Sequence, residues 1–385
     1  MKIALTVEEY NKRGGISRYV AELAEHMAKK HEIHIYATSW EDIGNKDIIF
    51  HKVRTLPGPL VIRQIPFTVQ NALRFKVSRS GYDIIHINGG ESLCPDVITA
   101  HSIHKAGMEF KKNNEHIRGL GFHDLYALTT EKINYSYRNY KKIIADATSG
   151  KRELMKYYNV PEEDIEVIPL GVDLNEFKPD PPAVALEKAY NISDNDVVLI
   201  IIATEFYRKG VEELIESMRI LHTQGHKNIK LMIVGKARVE GIRKDESFYR
   251  GLVKKYSLDK NVIFTGAIDS NNMELTKYYN LADIFVFPTK YEGFGLPTIE
   301  AMACELPVIV GPSGAGEDLI DSGKNGFLLG DVNNPQEIAD KILILSQDGK
   351  LRKTIGKAAR KTVQICSWDN IARRTIELYE EILGY

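Results

Sequence analysis

The sequence predicts an α/β chain of two doubly wound domains, each an open, mostly parallel sheet flanked by helices. Short apolar runs alternate with segments whose apolar residues recur at helical spacing. The alternation stops at a proline cluster, Lys178 Pro179 Asp180 Pro181 Pro182, and then starts again. A length of 385 residues suffices for two cores. Residues 1–178 are therefore assigned to a first domain, 179–367 to a second and 368–385 to a closing helix.

A formal net charge of -1 excludes a globally basic nucleic-acid binder. Cys94, Cys304 and Cys366 lack metal-ligand spacing and suggest neither a disulfide framework nor a zinc site, which fits a reducing cytoplasm. The run from Met1 to Val7 meets Glu8 and Glu9 too soon for a secretory apolar region, and Val197 to Ala203 is too short to cross a bilayer. The expectation is a soluble cytoplasmic protein whose only membrane contact would be peripheral.

Ile3 to Val7 reads as the first strand, followed by a polar turn through Gly14 and Gly15 and a helix from about Ser17. Ile16, Val20, Leu23 and Met27 recur at helical spacing, which assigns them to the core. Gly14 and Gly15 stand where backbone amides could meet a phosphate, although a plain tight turn explains the pair as well. Further strands are read at 34–37, 83–87 and 97–100, the last ending at His101. Ligands gather at the carboxyl ends of parallel strands, so His101 is a candidate, against the plainer role of a hydrogen-bonded structural histidine. His86 and His104 stand behind it.

From His51 to Tyr82 there are six basic residues and no Asp or Glu. Phe67, Phe75, Phe110, Phe122 and Tyr126 are interleaved with the basic residues of this half. That mixture suits an anionic membrane surface or a phosphorylated acceptor; a solvated basic face over buried aromatics explains it at least as well. Strands near 143–147 and 165–168 close the first domain.

The second domain restarts with Val197 to Ile202, and a loop ending Arg208 Lys209 Gly210 enters a helix with Val211, Leu214, Ile215, Met218 and Leu221 as its buried stripe. Cations at a helix start oppose its dipole, a penalty that a bound diphosphate would reverse; two exposed cations are the alternative. Leu231 to Val234 ends at Gly235, where a base or ribose could lie, and Val262 to Gly266 follows.

Ile284 to Phe287, closed by Pro288, reads as a buried strand, and the segment from Pro297 as a helix start. Between them lies Glu292 Gly293 Phe294 Gly295 Leu296, and Glu300 follows on the helix. Gly293 and Gly295 allow close approach of a ligand, and free amides at the helix start form an anion site. Carboxylates beside an anion site imply a ligand with hydroxyls as well as phosphates, which a sugar nucleotide has. Either glutamate alone would be explained by a turn cap or a solvated helix face; the whole string favours the ligand.

This string resembles the signature of family 4 retaining glycosyltransferases, in which two glutamates flank Gly-Phe-Gly-Leu-Pro. The resemblance implies the GT-B fold: two facing Rossmann-like domains, with the C-terminal helix from Trp368 returning to the first. It implies that Glu292 contacts the donor sugar, that amides around Phe294, Gly295 and Leu296 meet sugar and phosphate oxygens, and that Glu300 binds the ribose. Arg208 and Lys209 would neutralise the departing diphosphate, His101 would face the donor sugar, backbone near Ile268 would meet the base, and Gly14 and Gly15 would lie near phosphates or acceptor. The Phe-x-Arg-Lys-Gly pattern at Phe206 to Gly210 is similar to that of bacterial lipopolysaccharide core glucosyltransferases. The expected reaction is metal-free, cofactor-free transfer of a hexose from a nucleotide sugar, UDP-glucose before GDP-mannose, to a glycan or lipid-linked acceptor of the cell envelope. The alternatives are a sugar-nucleotide epimerase of similar fold and a non-catalytic sugar-nucleotide-binding protein.

Overall fold

A computed structural model describes residues 1–41, 47–115, 121–237, 245–268 and 272–385. The chain forms two units. One holds Met1–Asn114, 121–171 and Trp368–Tyr385; the other holds Val172–Ser367.

The first unit is built on β1 (Lys2–Thr6), β2 (Glu32–Ala37), β3 (Ile48–Lys52), β4 (Ile84–Asn88), β5 (Val97–Ala100), β6 (Lys142–Ala145) and β7 (Ile165–Val167). All pair parallel, in the order β3-β2-β1-β4-β5-β6-β7. The order reverses at β1, and the crevice beyond the carboxyl ends of β1 and β4 is where such a sheet binds ligands. Three of its helices matter below: α1 (Gly15–Met27), α2 (Leu60–Ser78) and α3 (Phe122–Glu131). The strand β3 was not read from the sequence; it is an edge strand whose polar end, His51 and Lys52, breaks the apolar run.

Helix α1 buries Val20, Leu23 and Met27 as expected, but Ile16 is 46% exposed. It sits in the first turn of the helix, where it borders the cavity that also holds His101. The C-terminal helix, Trp368–Leu383, packs on α1 within this unit and buries Ile371, Leu378 and Tyr379. The Tyr379 hydroxyl and His86 Nδ1 hydrogen-bond at 2.5 Å, and His86 Nε2 meets Thr99 Oγ1 at 2.6 Å. Burial pushes His86 down to about 3, so it is a neutral structural group.

The second unit repeats the plan with β8 (Val197–Ile202), β9 (Ile229–Val234), β10 (Val262–Gly266), β11 (Ile284–Phe287), β12 (Val308–Val310) and β13 (Phe327–Leu328), in the order β10-β9-β8-β11-β12-β13. Every pair is parallel. The continuous apolar runs of β8 and β11 follow from burial on both faces. Helix α4 (Val211–Thr223) follows β8, and α5 (Leu296–Ala303) follows β11. The predicted stripe on α4 is fully buried. The segment Val172–Lys178, ahead of the proline cluster, belongs to this unit: Phe177 is buried, and the Arg360 guanidinium donates to the carbonyls of Leu174 and Phe177 at 3.3 and 3.2 Å.

Candidate active site

In the second unit the order reverses at β8, and the loops leaving β8 and β11 meet in the crevice. Lys209 is 8% exposed; its ammonium donates to Glu292 Oε2 and lies 4.5 Å over the Phe287 ring. The Arg208 guanidinium stands 3.3 Å from Glu292 Oε1, pairs with Glu205, and donates to the Tyr291 carbonyl at 2.7 Å. The two loops are tied further: the Lys290 amide donates to the Arg208 carbonyl at 2.8 Å, and the Lys290 ammonium to Glu213 at 2.6 Å. Arg208, Lys209, Glu205 and Glu292 thus form one network, with the Lys290–Glu213 pair beside it.

Burial opposes ionisation of Glu292, but Lys209 and Arg208 more than offset this and hold its carboxyl below the usual range. Burial lowers Lys209, with Glu292 opposing and Arg208 adding to the shift. The crevice therefore holds fixed charges at short range in a water-poor setting, where each acts more strongly than in bulk water.

Gly295 is the N-cap of α5 at φ +93°, a conformation that favours glycine, and Pro297 takes the first turn. Gly293, Phe294 and Leu296 lie in the same bend, so the structure brings Arg208, Lys209, Glu292 and these residues together. Phe294 itself is 3% exposed, and its carbonyl accepts from the Ala315 amide at 2.7 Å. Glu300 sits one turn further in, buried, and accepts a hydrogen bond from the Tyr279 hydroxyl at 2.9 Å. Gly235 and Ile268 lie past the ends of β9 and β10, on the other side of β8. Glu205 and Tyr279 were missed from the sequence; Glu205 stands three residues before Arg208, a spacing that could have marked it.

The first unit carries the remaining candidates. His101 follows β5, with Nδ1 at 2.9 Å from Asp146 Oδ2 and Nε2 at 3.0 Å from Asn88 Oδ1. The Asn88 amide group donates to the Thr6 carbonyl at 2.8 Å, which leaves its oxygen toward the ring. Both nitrogens meet oxygen atoms and the ring packs edge-on against Tyr19 at 4.8 Å, so the orientation of His101 is fixed from three sides. His101 lines a cavity of about 200 Å³ with Glu8, Ile16, Gln64, Thr68, Glu91 and Tyr126 among its walls. Glu91 follows β4 and accepts from the Thr6 hydroxyl at 2.7 Å and the Glu8 amide at 3.2 Å. Burial pushes its carboxyl up to about 7. Glu91 was not singled out from the sequence, although Gly89 Gly90 after a strand is the same signal that drew attention to Gly14 and Gly15.

Gly14 is the N-cap of α1 at φ -103°, and a Cβ there would meet Ser17 no closer than 3.7 Å. The turn itself therefore does not require glycine at this position. Gly15 opens the helix. Among the described residues one group could hold a metal ion: His104, His123 and Asp124, with ligand atoms within 4.8 Å of one another. Asp124 already accepts from the Gly121 amide at 2.8 Å and pairs with His104 at 3.0 Å, within the first unit.

Residues 185–362 match the family described as "Glycosyl transferases group 1", and residues 13–176 match "Glycosyltransferase Family 4". The chain belongs to glycosyltransferase family 4. It is an enzyme of the hexosyltransferase class. Relatives of this glycosyltransferase include an uncharacterized glycosyltransferase of Methanocaldococcus jannaschii, 27% identical with all of both chains covered. Another is a GDP-mannose-dependent alpha-(1-6)-phosphatidylinositol monomannoside mannosyltransferase of Mycobacterium tuberculosis, 23% identical over 94% of each chain. Among solved structures, WaaG, described as a glycosyltransferase involved in lipopolysaccharide biosynthesis, superposes with a TM-score of 0.75 at 17% identity, covering all of both chains. Anabaena Alr3699/HepE in complex with UDP-glucose gives 0.72 at 20% identity, covering 99% of this chain and 100% of that one. At these identities the structures speak for the fold alone, and the fold is GT-B, with two Rossmann-like halves.

Proposed function

We propose that this glycosyltransferase moves a hexose, with retention of configuration, from a nucleoside diphosphate sugar to a hydroxyl of a glycan, glycolipid or lipid-linked acceptor of the cell envelope. The observation that carries the reading is the contact of Arg208 and Lys209 with Glu292 at the start of α5. A diphosphate in that crevice gains two cations and the amides of the helix start, and the leaving-group charge is stabilised where it develops. Glu292, released from part of its ion pairing, then accepts hydrogen bonds from sugar hydroxyls.

The bond between the anomeric carbon and the phosphate oxygen breaks, and the acceptor oxygen bonds to that carbon from the same face. The acceptor proton passes to the departing phosphate oxygen, so no enzyme nucleophile or cofactor is required. No metal is assigned to the step. His101 orients the sugar, Glu300 takes the ribose, backbone around Gly235 and Ile268 meets the base, and Gly14 and Gly15 admit phosphates or acceptor. UDP-glucose is the first donor and GDP-mannose the second. A relative is named for its use of GDP-mannose and a structural neighbour was solved with UDP-glucose, which supports testing both. The protein works in the cytoplasm on this reading.

Calorimetric titration of UDP-glucose, UDP-galactose, UDP-N-acetylglucosamine and GDP-mannose, without divalent metal, tests it. Selective binding of one donor, lost in Glu300→Ala at an unchanged melting temperature, is expected. Failure of all four to bind, with and without metal and with nucleoside diphosphate as a control, would overturn the donor site.

A further inference from the structure

His104, His123 and Asp124 are the group of possible metal ligands among the described residues, and nothing in the transfer proposed above uses them. They come from the starts of two helices. His104 opens the helix His104–Glu115, and His123 and Asp124 stand in the first turn of α3. His104 Nε2 lies 3.0 Å from Asp124 Oδ1, the rings of His104 and His123 cross at 73° with centroids 5.5 Å apart, and one ligand atom of each residue lies within 4.8 Å of the others. Neighbouring ligands of a tetrahedral zinc ion stand about 3.3 Å apart. The His104–Asp124 pair is already near that spacing, and a remaining gap of at most about 1.5 Å is within the swing of an imidazole about its side-chain bonds.

The supports behind these ligands are in place. Asp124 Oδ2 accepts from the Gly121 amide at 2.8 Å, which aims Oδ1 at His104. The Glu131 carboxylate accepts from the backbone amides of His104 and Lys105 at 2.5 and 3.2 Å and from the Tyr158 hydroxyl at 2.5 Å, so the backbone that carries His104 is tied to the far end of α3. The positive ends of two helices oppose a cation, but a carboxylate already covers each: Asp124 at α3 and Glu131 at the other. The plainer account is one His–Asp hydrogen bond that pins two helices together. That account has no use for His123, whose ring crosses that of His104.

We propose that these three side chains bind one late first-row divalent ion of the zinc kind. Two imidazoles and a carboxylate suit zinc, whereas magnesium and calcium prefer oxygen ligands throughout. The ion takes the place of the proton shared by His104 and Asp124, which passes to solvent. Three protein ligands leave a fourth position for water or for an oxygen of a bound molecule. His123 lines, with Thr68 of α2, the cavity that holds His101 and Glu91, so the ion borders that space. Its role there is to hold the rim and to meet an oxygen of the acceptor, while Arg208 and Lys209 meet the departing diphosphate. The acceptor contact rests on the transferase reading above; the binding of the ion does not.

Calorimetric titration of the full chain, free of any affinity tag, with zinc chloride and separately with magnesium chloride tests the site. One zinc ion per chain is expected, and no magnesium at the same concentrations. His123→Ala weakens zinc binding by about 100-fold or more, because losing a ligand costs at least as much as losing a ligand's support. Asp124→Asn, which keeps an oxygen for the Gly121 amide, weakens it comparably, and His226→Ala in the second unit leaves it unchanged. Zinc raises the melting temperature of wild type and of His226→Ala but not of His123→Ala. If Asp124→Asn fails to fold, His123→Ala decides, since the carboxylate that caps α3 belongs to Asp124. Absence of zinc uptake, uptake that survives His123→Ala, or magnesium bound as tightly as zinc would each overturn the proposal. Donor binding in the same samples without metal separates the two readings: its loss in wild type counts against the transferase site and leaves the zinc site standing.

Discussion

The crevices of the two units stand at the same topological position and shift their glutamates in opposite directions. In each, the first and fourth strands along the chain lie side by side in the sheet, and a glutamate follows the fourth: Glu91 after β4 and Glu292 after β11. Glu91 faces a hydroxyl and an amide, both neutral donors, and burial pushes it up to about 7. Glu292 faces an ammonium and a guanidinium, and although burial opposes it, those cations keep it ionised. A shared topology sets where a side chain stands, and whatever stands opposite sets its charge.

The strongest way to break the comparison is Glu292→Ala. Turnover is expected to fall by about 10²-fold to 10³-fold or more at an unchanged fold, and steady-state kinetics with the donor identified by calorimetry would measure it. Near-normal turnover would remove Glu292 from the chemistry and leave the second crevice a binding site only.

Next in size is Gly210→Ala, since Gly210 at φ +72° caps α4 and a Cβ there would lie 2.2 Å from the Pro288 carbonyl oxygen. A loss of about 2–4 kcal/mol is expected by denaturant unfolding of the chain. The loop that carries Arg208 and Lys209 is held against the loop from β11 by the hydrogen bond from the Lys290 amide to the Arg208 carbonyl, and a side chain at Gly210 would push the two apart. A loss under about 1 kcal/mol would mean that the two loops move apart freely.

The comparison is sharpened by pH. With Glu91 raised to about 7 in the folded protein from its ordinary 4.5, the folded state keeps a proton that the unfolded chain gives up between those values. Stability from this group therefore falls as pH rises through that window, and Glu91→Gln gains on wild type there by at most about 1.4 kcal/mol per pH unit. Glu292 is lowered, so its contribution is complete above the ordinary carboxylate value and fades as pH falls through the folded one. The deficit of Glu292→Gln is thus largest near neutral pH and shrinks in acid. Denaturant midpoints taken relative to wild type should change between pH 4.5 and about 7 for Glu91→Gln and only below pH 4.5 for Glu292→Gln; the same window for both would show that the two glutamates share one kind of environment.

The smallest stability effect belongs to Gly14→Ala, within about 0.5 kcal/mol of wild type, because backbone and space there accept a side chain. Reduced turnover at unchanged stability would place ligand against Gly14; unchanged turnover would make it a turn residue only.

Much of this was legible in the sequence because it is local. An apolar run and its punctuation lie within a few residues, so the strands at 97–100, 197–202, 262–266 and 284–287 were read with the bounds the fold gives them. The junction from Glu292 to Glu300 was equally legible, since glycine, proline and carboxylate each constrain backbone or chemistry at their own position. Ile16 was not, because periodicity draws a stripe without saying whether anything covers it. The sequence alone determined the two doubly wound halves, the bend at Gly295 and the presence of Arg208 and Lys209. Only tertiary structure decided that Lys209 meets Glu292 across 83 residues and that Glu91 meets Thr6 across 85. Charge state depends on neighbours and on burial, and both are set by contacts far apart in the chain.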